Sequence, residues 1–207
     1  MMKYQKSLLT SASCFLLAIL CLVLWGYQKD RGLAERIAPD ILRFHILANS
    51  NSARDQQIKT DTKSFILKTL QSCPALSKEE LSSYIISHRE TLENQTNAYL
   101  AQKGCSYQAV IRVTKAYFPT KAYGDLVLPC GTYDTVQVQL GQARGRNWWC
   151  VLYPRLCYVD ATHSILPESS RQELKLLLSD EDYTKLLDDP ARIHIRLKLL
   201  QFFDHTP

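Results

Sequence analysis

The stretch Ile41-Leu-Arg-Phe-His-Ile-Leu-Ala48, continued by Asn49-Ser-Asn-Ser-Ala-Arg-Asp55, decides how this chain is read. Leu42, Phe44, Ile46 and Ala48 alternate with Arg43, His45 and Leu47, a period of two that suits a strand with one partly polar face. Asn49-Ser-Asn-Ser52 is turn chemistry, since short polar side chains bond the nearby backbone. Ser52-Ala-Arg-Asp55 then has the spacing of a helix cap, and the period lengthens so that Ile58, Phe65, Ile66 and Leu70 share one helical face. Pro74 is expected to close that helix.

Further along the chain the two periods alternate. Ser77-Lys-Glu-Glu80 predicts a second helix start, with Leu81, Ile85, His88, Leu92 and Tyr99 at helical intervals as far as Gly104. From Ser106 the period returns to two, with Ala109, Ile111 and Val113 set against Val110, Arg112 and Thr114. Val136, Val138 and Leu140 alternate with Gln137 and Gln139, and Trp148 to Tyr153 forms an apolar run after the turn Gly141-Gln-Ala-Arg-Gly145. A helix is expected from Ser170 to Asp188 on Leu174, Leu177, Leu178, Leu186 and Leu187, stopped by Asp189-Pro190. A last strand is expected where Ile193, Ile195, Leu197 and Leu199 alternate with Arg192, His194, Arg196 and Lys198. This order predicts an α+β domain, a mainly antiparallel sheet with helices packed on one face.

Toward the N-terminus, Lys3 and Lys6 precede an uncharged stretch from Ser7 to Gln28 whose apolar centre runs from Cys14 to Trp25. A basic start and an apolar run make an export signal. A bilayer core needs about 20 apolar residues, so the same run serves equally as a retained anchor. The chain therefore divides into residues 1–27 as signal peptide or membrane anchor, 28–39 as a charged linker, and 40–207 as one exported domain. A signal, if cut, would be cut near Gly32-Leu-Ala34.

The formal net charge of +5 is too small to argue for nucleic acid. Of seven cysteines, Cys14 and Cys21 lie in the leader and Cys73, Cys105, Cys130, Cys150 and Cys157 beyond it. Outside the cytoplasm these read as disulfide formers, with Cys150 and Cys157 the expected pair and one thiol left over. Neither a Cys-x-x-Cys pair nor a His-Glu-x-x-His spacing occurs, so no metal or other cofactor is expected.

The usual marks of catalysis are missing too. Asp134-Thr-Val lacks the glycine of an aspartic protease loop, and there is no Gly-x-Ser-x-Gly or phosphate loop. His45, flanked by Phe44 and Ile46, reads as a structural histidine before it reads as a base. Trp148 and Trp149 must face opposite sides of any strand, leaving one free to anchor a partner unless both pack on the cysteine bridge. The chain is accordingly not read as an enzyme, and a signalling ligand is the reading that the resemblance below implies. Its rivals are a secreted envelope hydrolase built on His45 and Asp55, and a structural envelope protein.

Two blocks carry a resemblance. Arg43-Phe-His-Ile-Leu-Ala-Asn-Ser50 with Asp55-Gln56 and Lys59 resembles the opening signature of the stage II sporulation protein R family. Phe118-Pro119, Tyr123-Gly-Asp125, Leu128-Pro129 and Gly131-Thr-Tyr133, then the run Gly145-Arg-Asn-Trp-Trp-Cys-Val-Leu-Tyr-Pro-Arg-Leu-Cys157, resemble its central segment. Thr62-Lys63-Ser64 and Cys130 depart from the expected Val-Arg-Asp and alanine. The resemblance implies a signal made in the forespore, secreted into the space between forespore and mother cell or anchored facing it. It also implies a partner there, a membrane-embedded aspartic protease that matures a sigma factor precursor. On that reading Arg43, His45, Asn49, Asp55, Gln56, Asn147 and Trp148 form the contact surface, on a scaffold stiffened by the Cys150–Cys157 bridge.

Overall fold

The computed structural model describes residues 2–73, 77–157 and 168–187. In chain order it runs α1 (Met2–Ile37), a short 3-10 turn (Ala38–Asp40), β1 (Leu42–Leu47), α2 (Ala53–Gln71), α3 (Lys78–Ser87), α4 (Arg89–Gln102), β2 (Ala109–Phe118), β3 (Lys121–Tyr123), β4 (Leu126–Leu128), β5 (Gly131–Leu140), β6 (Asn147–Tyr153), α5 (Glu168–Leu177) and α6 (Asp180–Leu186). Four strands form one sheet in the order β2-β5-β1-β6. Pairs β2·β5 and β1·β6 are antiparallel and the central pair β1·β5 is parallel, giving the α+β class and mostly antiparallel sheet that the patterning predicts. Strands β3 and β4 form a separate hairpin, whose two-residue loop uses Gly124 at φ 62°.

The alternation read from the sequence sorts residues onto two faces. Leu42, Phe44, Ile46, Ile111, Val136, Val138 and Cys150 pack under α2, α3 and α4 through Ile58, Ile66, Leu70, Ile85, Leu92 and Leu100. The opposite face carries a second, smaller core near the start of β1. There Phe118, Tyr133 and Val151 meet Leu126 and Leu128 of the hairpin, Leu174 and Leu186 of α5 and α6, and Leu33, Ala34 and Ile37 of α1. Farther along that face Val110 and Arg112 of β2 are exposed, while Leu47, Gln137 and Gln139 are half-buried.

Capping signals at Ser52 and Ser77 hold, each hydroxyl accepting the backbone N–H three residues on. The single helix expected up to Gly104 is instead two, α3 and α4, because the chain leaves helical geometry at His88. Both the Ser87 hydroxyl and the His88 ring turn back onto the Tyr84 carbonyl. Likewise the helix expected over 170–188 breaks at Ser179, which caps α6 by accepting from the Asp182 N–H. Helix α2 ends at Gln71, and Pro74 and the strand expected at 192–199 lie outside the described residues.

Residues 28–39, expected as a linker, are helical to Ile37, and Leu33, Ala34 and Ile37 are buried. Ala34 lies so close to Gly131 that a side chain at 131 would come within 2.5 Å of its Cβ. Lys78 of α3 clamps the same end, donating to the carbonyls of Ala38 and Pro39 and pairing with Asp134 at 2.7 Å. The apolar part of α1 is long enough and apolar enough to cross a membrane, and its residues from Phe15 to Trp25 are largely exposed.

Candidate functional site

Strand β1 begins five residues after α1 ends and runs away from it, and β5 runs parallel beside it. At about 3.3 Å per residue the six residues of β1 separate its two ends by about 20 Å. The end remote from α1 is built from residues 48–56, the loop 141–146 and the start of β6.

These segments are joined by backbone and amide hydrogen bonds. Gly145 N–H donates to the Ala48 carbonyl at 2.8 Å, and Arg144 N–H to the Asn49 carbonyl at 3.2 Å. The Asn49 side chain accepts from Gln142 N–H, and the Asn51 side chain from Arg146 N–H. Close approach leaves no room at Gly145, where a Cβ would meet the Ser50 carbonyl oxygen at 2.2 Å.

Asp55 is the hub beneath. Its carboxylate accepts from Asn49 Nδ2 (2.9 Å), Ser50 Oγ (2.5 Å) and Tyr107 OH (2.8 Å). The Ser50 bond is the largest influence holding its pKa below the ordinary value, with burial opposing it. Tyr107 is pushed up by burial and then by Asp55. Gln56 donates to the Ser50 carbonyl and accepts from Lys59, whose ammonium also reaches the Arg146 carbonyl at 3.0 Å. Asn49, Asp55 and Gln56, expected as contacts, thus use polar atoms to brace the loops. The solvent side of the end is formed by the exposed Gln142, Arg144, Arg146 and Asn147.

The two tryptophans do face opposite sides. Trp148 is half-buried against the α2–α4 core, with the Lys63 ammonium 4.4 Å from its ring centre. Lys63 is one of the residues at which the chain departs from the expected signature. Trp149 stacks on His45 at 3.6 Å between ring centres and meets Phe118 edge-on. Cys150 and Cys157 form the expected disulfide.

Arg43 and His45 are not surface residues, being 0% and 4% exposed. Among the described residues the His45 ring nitrogens meet no partner at hydrogen-bonding geometry. Burial pulls its pKa down to about 4, and the nearby Asn147 amide offsets this only in part. His45 and Asp55 are not joined, so the acid-base pair a hydrolase would need there is not formed. Among the described residues no three His, Cys, Asp or Glu side chains gather as a metal site. Sequence reasoning did not name Asn51, Tyr107, Arg144 or Arg146 as site residues, although Asn51 and Arg144 lie in the turns read at 49–52 and 141–145 and Arg146 in the block that starts at Gly145.

An α+β domain that follows an apolar N-terminal helix and carries a braced polar loop end is the class that fold and site define. The family model for stage II sporulation protein R matches residues 38–163. Over 164 residues the chain is 30% identical to stage II sporulation protein R of Bacillus subtilis (strain 168), covering 78% of this chain and 72% of that protein. The chain belongs to the stage II sporulation protein R family. No solved structure matches it.

Proposed function

We propose that this chain is an intercompartmental signal of endospore formation, displayed outside the membrane to activate a membrane-embedded aspartic protease that processes a sigma factor precursor. The family supports the sporulation role, and the apolar helix fits export or anchoring. The observation that carries the reading is the placement of the braced loop end about 20 Å along β1 from the helix. A domain held at one membrane by α1 offers that end to a receptor in the facing membrane.

On this account Gln142, Arg144, Arg146, Asn147 and the exposed edge of Trp148 touch the receptor, while Asn49, Asp55 and Gln56 hold them in place and Arg43 and His45 lie beneath. The domain division 1–27, 28–39 and 40–207 is kept, with the last turns of the middle segment serving as part of the fold. The test replaces Arg146 and Asn147 by Glu and Ala in a sporulating host. Both side chains are exposed, so the protein should reach normal levels while precursor processing falls at least tenfold. Unchanged processing would remove this end as the contact.

A further inference from the structure

We propose that Arg43 forms the floor of a carboxylate-binding site on the second face of the sheet. The guanidinium is fully buried, and among the described residues none of its three nitrogens has a hydrogen-bond acceptor. Phe118 and Tyr133 rings lie 4.4 and 5.1 Å from its central carbon. Ring faces attract a cation but accept none of its five N–H bonds in the plane of the fork.

The surroundings repeat the pattern. Thr135 is the register partner of Arg43 on β5, and its buried hydroxyl is unpartnered among the described residues. The Tyr123 hydroxyl, close enough to Arg43 to interact with it electrostatically, is unpartnered as well. A buried guanidinium and two buried hydroxyls beside it therefore lack hydrogen-bond partners among the described residues. Other buried cations of this chain are treated differently: Lys78 has Asp134 and two carbonyls, and Lys59 has Gln56 and the Arg146 carbonyl. A planar anion with two acceptor oxygens matches the donors of the fork and the flanking hydroxyls, which is the chemistry of a carboxylate.

Two sources can supply it. One is an acidic side chain or small carboxylate from outside the chain. The other is one of the four acids outside the described residues, Asp160, Asp188, Asp189 and Asp204. Asp188 and Asp189 follow Leu187, whose backbone bridges to Leu126 in the hairpin that carries Tyr123. The site stands independently of the signalling role, since it rests on burial and hydrogen bonding alone.

The test uses the full chain in detergent micelles, with sodium formate replacing sodium chloride at constant ionic strength. The Arg43 Nε–Hε resonance and the melting temperature are followed in the wild type and in a variant carrying Asp160→Asn, Asp188→Asn, Asp189→Asn and Asp204→Asn. A saturable shift of the Arg43 signal and a saturable rise in Tm in the wild type would show a site taking its carboxylate from outside. The same response only in the four-fold variant would show the same site filled by the chain itself. An Arg43 signal and a Tm indifferent to formate in both proteins would overturn the proposal, and this readout does not depend on any Arg43 variant folding.

Discussion

His45 and Asp55 stand ten positions apart in a signature read from the sequence as one contact surface, yet burial gives them separate tasks. In the unfolded chain His45 takes a proton near its ordinary value of 6.5, and in the fold only near 4. Between those values the unfolded state binds more protons, so stability is full above about pH 6.5 and falls as pH drops toward 4. The loss should reach about 2 kcal/mol by pH 4.5, measured by urea denaturation against pH 7.5, and His45→Gln should remove most of that slope. Asp55 acts lower: its folded pKa is depressed, so its contribution is present above the ordinary carboxylate range and is lost only as pH falls below it. At Gly145 the obstacle is backbone, which cannot swing aside, so Gly145→Ala should cost about 2–3 kcal/mol in the same assay. Asn49, Asp55 and Gln56, named from the sequence, do meet at the braced loop end, but the burial of Arg43 and His45 was not legible. A period of two puts Arg43 and His45 on the polar side of a strand, and nothing local says that a hairpin and α1 will cover that side.

At the scale of elements, the patterning gave β1, β2, β5 and β6 and the capped starts of α2 and α3, since caps and alternation are local chemistry. It joined α3 to α4 and α5 to α6 because the breaks come from single side chains turning back on the backbone, at Ser87 and His88 and at Ser179, inside runs that keep helical spacing. Removing the Ser179 cap by Ser179→Ala should cost about 1 kcal/mol in denaturant unfolding. Opening the Cys150–Cys157 loop, seven residues apart in sequence, by Cys157→Ala should cost about 2 kcal/mol on chain-entropy grounds. That change also frees the segment after β6, where Cys157 N–H donates to the Val151 carbonyl. The parallel pairing of β1 with β5 was not legible, because the order in which strands meet is decided by the packing of distant helices.

For the whole molecule, the last turns of α1 are the joint between apolar segment and domain. Leu33, Ala34 and Ile37 fill the second core, so a cut at Ala34 would sever that packing, whereas a cut before Leu33 would leave it intact. Ala34→Leu should therefore destabilise the domain, by about 1–3 kcal/mol through overpacking against Gly131, although position 34 lies in what reads as a linker. α1 contacts β5 and α6, and the braced loops lie at the far end of the sheet, so on the proposed function one end meets a membrane and the other a partner. The most direct measurement of the proposed function is co-expression of the chain with the membrane protease proposed as its partner and the sigma factor precursor in a host that does not sporulate. Precursor cleavage should require both this protein and its export, and should be lost when the apolar helix is deleted and the domain stays in the cytoplasm. Absence of cleavage with the protein exported and folded and the protease inserted, or cleavage that proceeds equally without export, would contradict it.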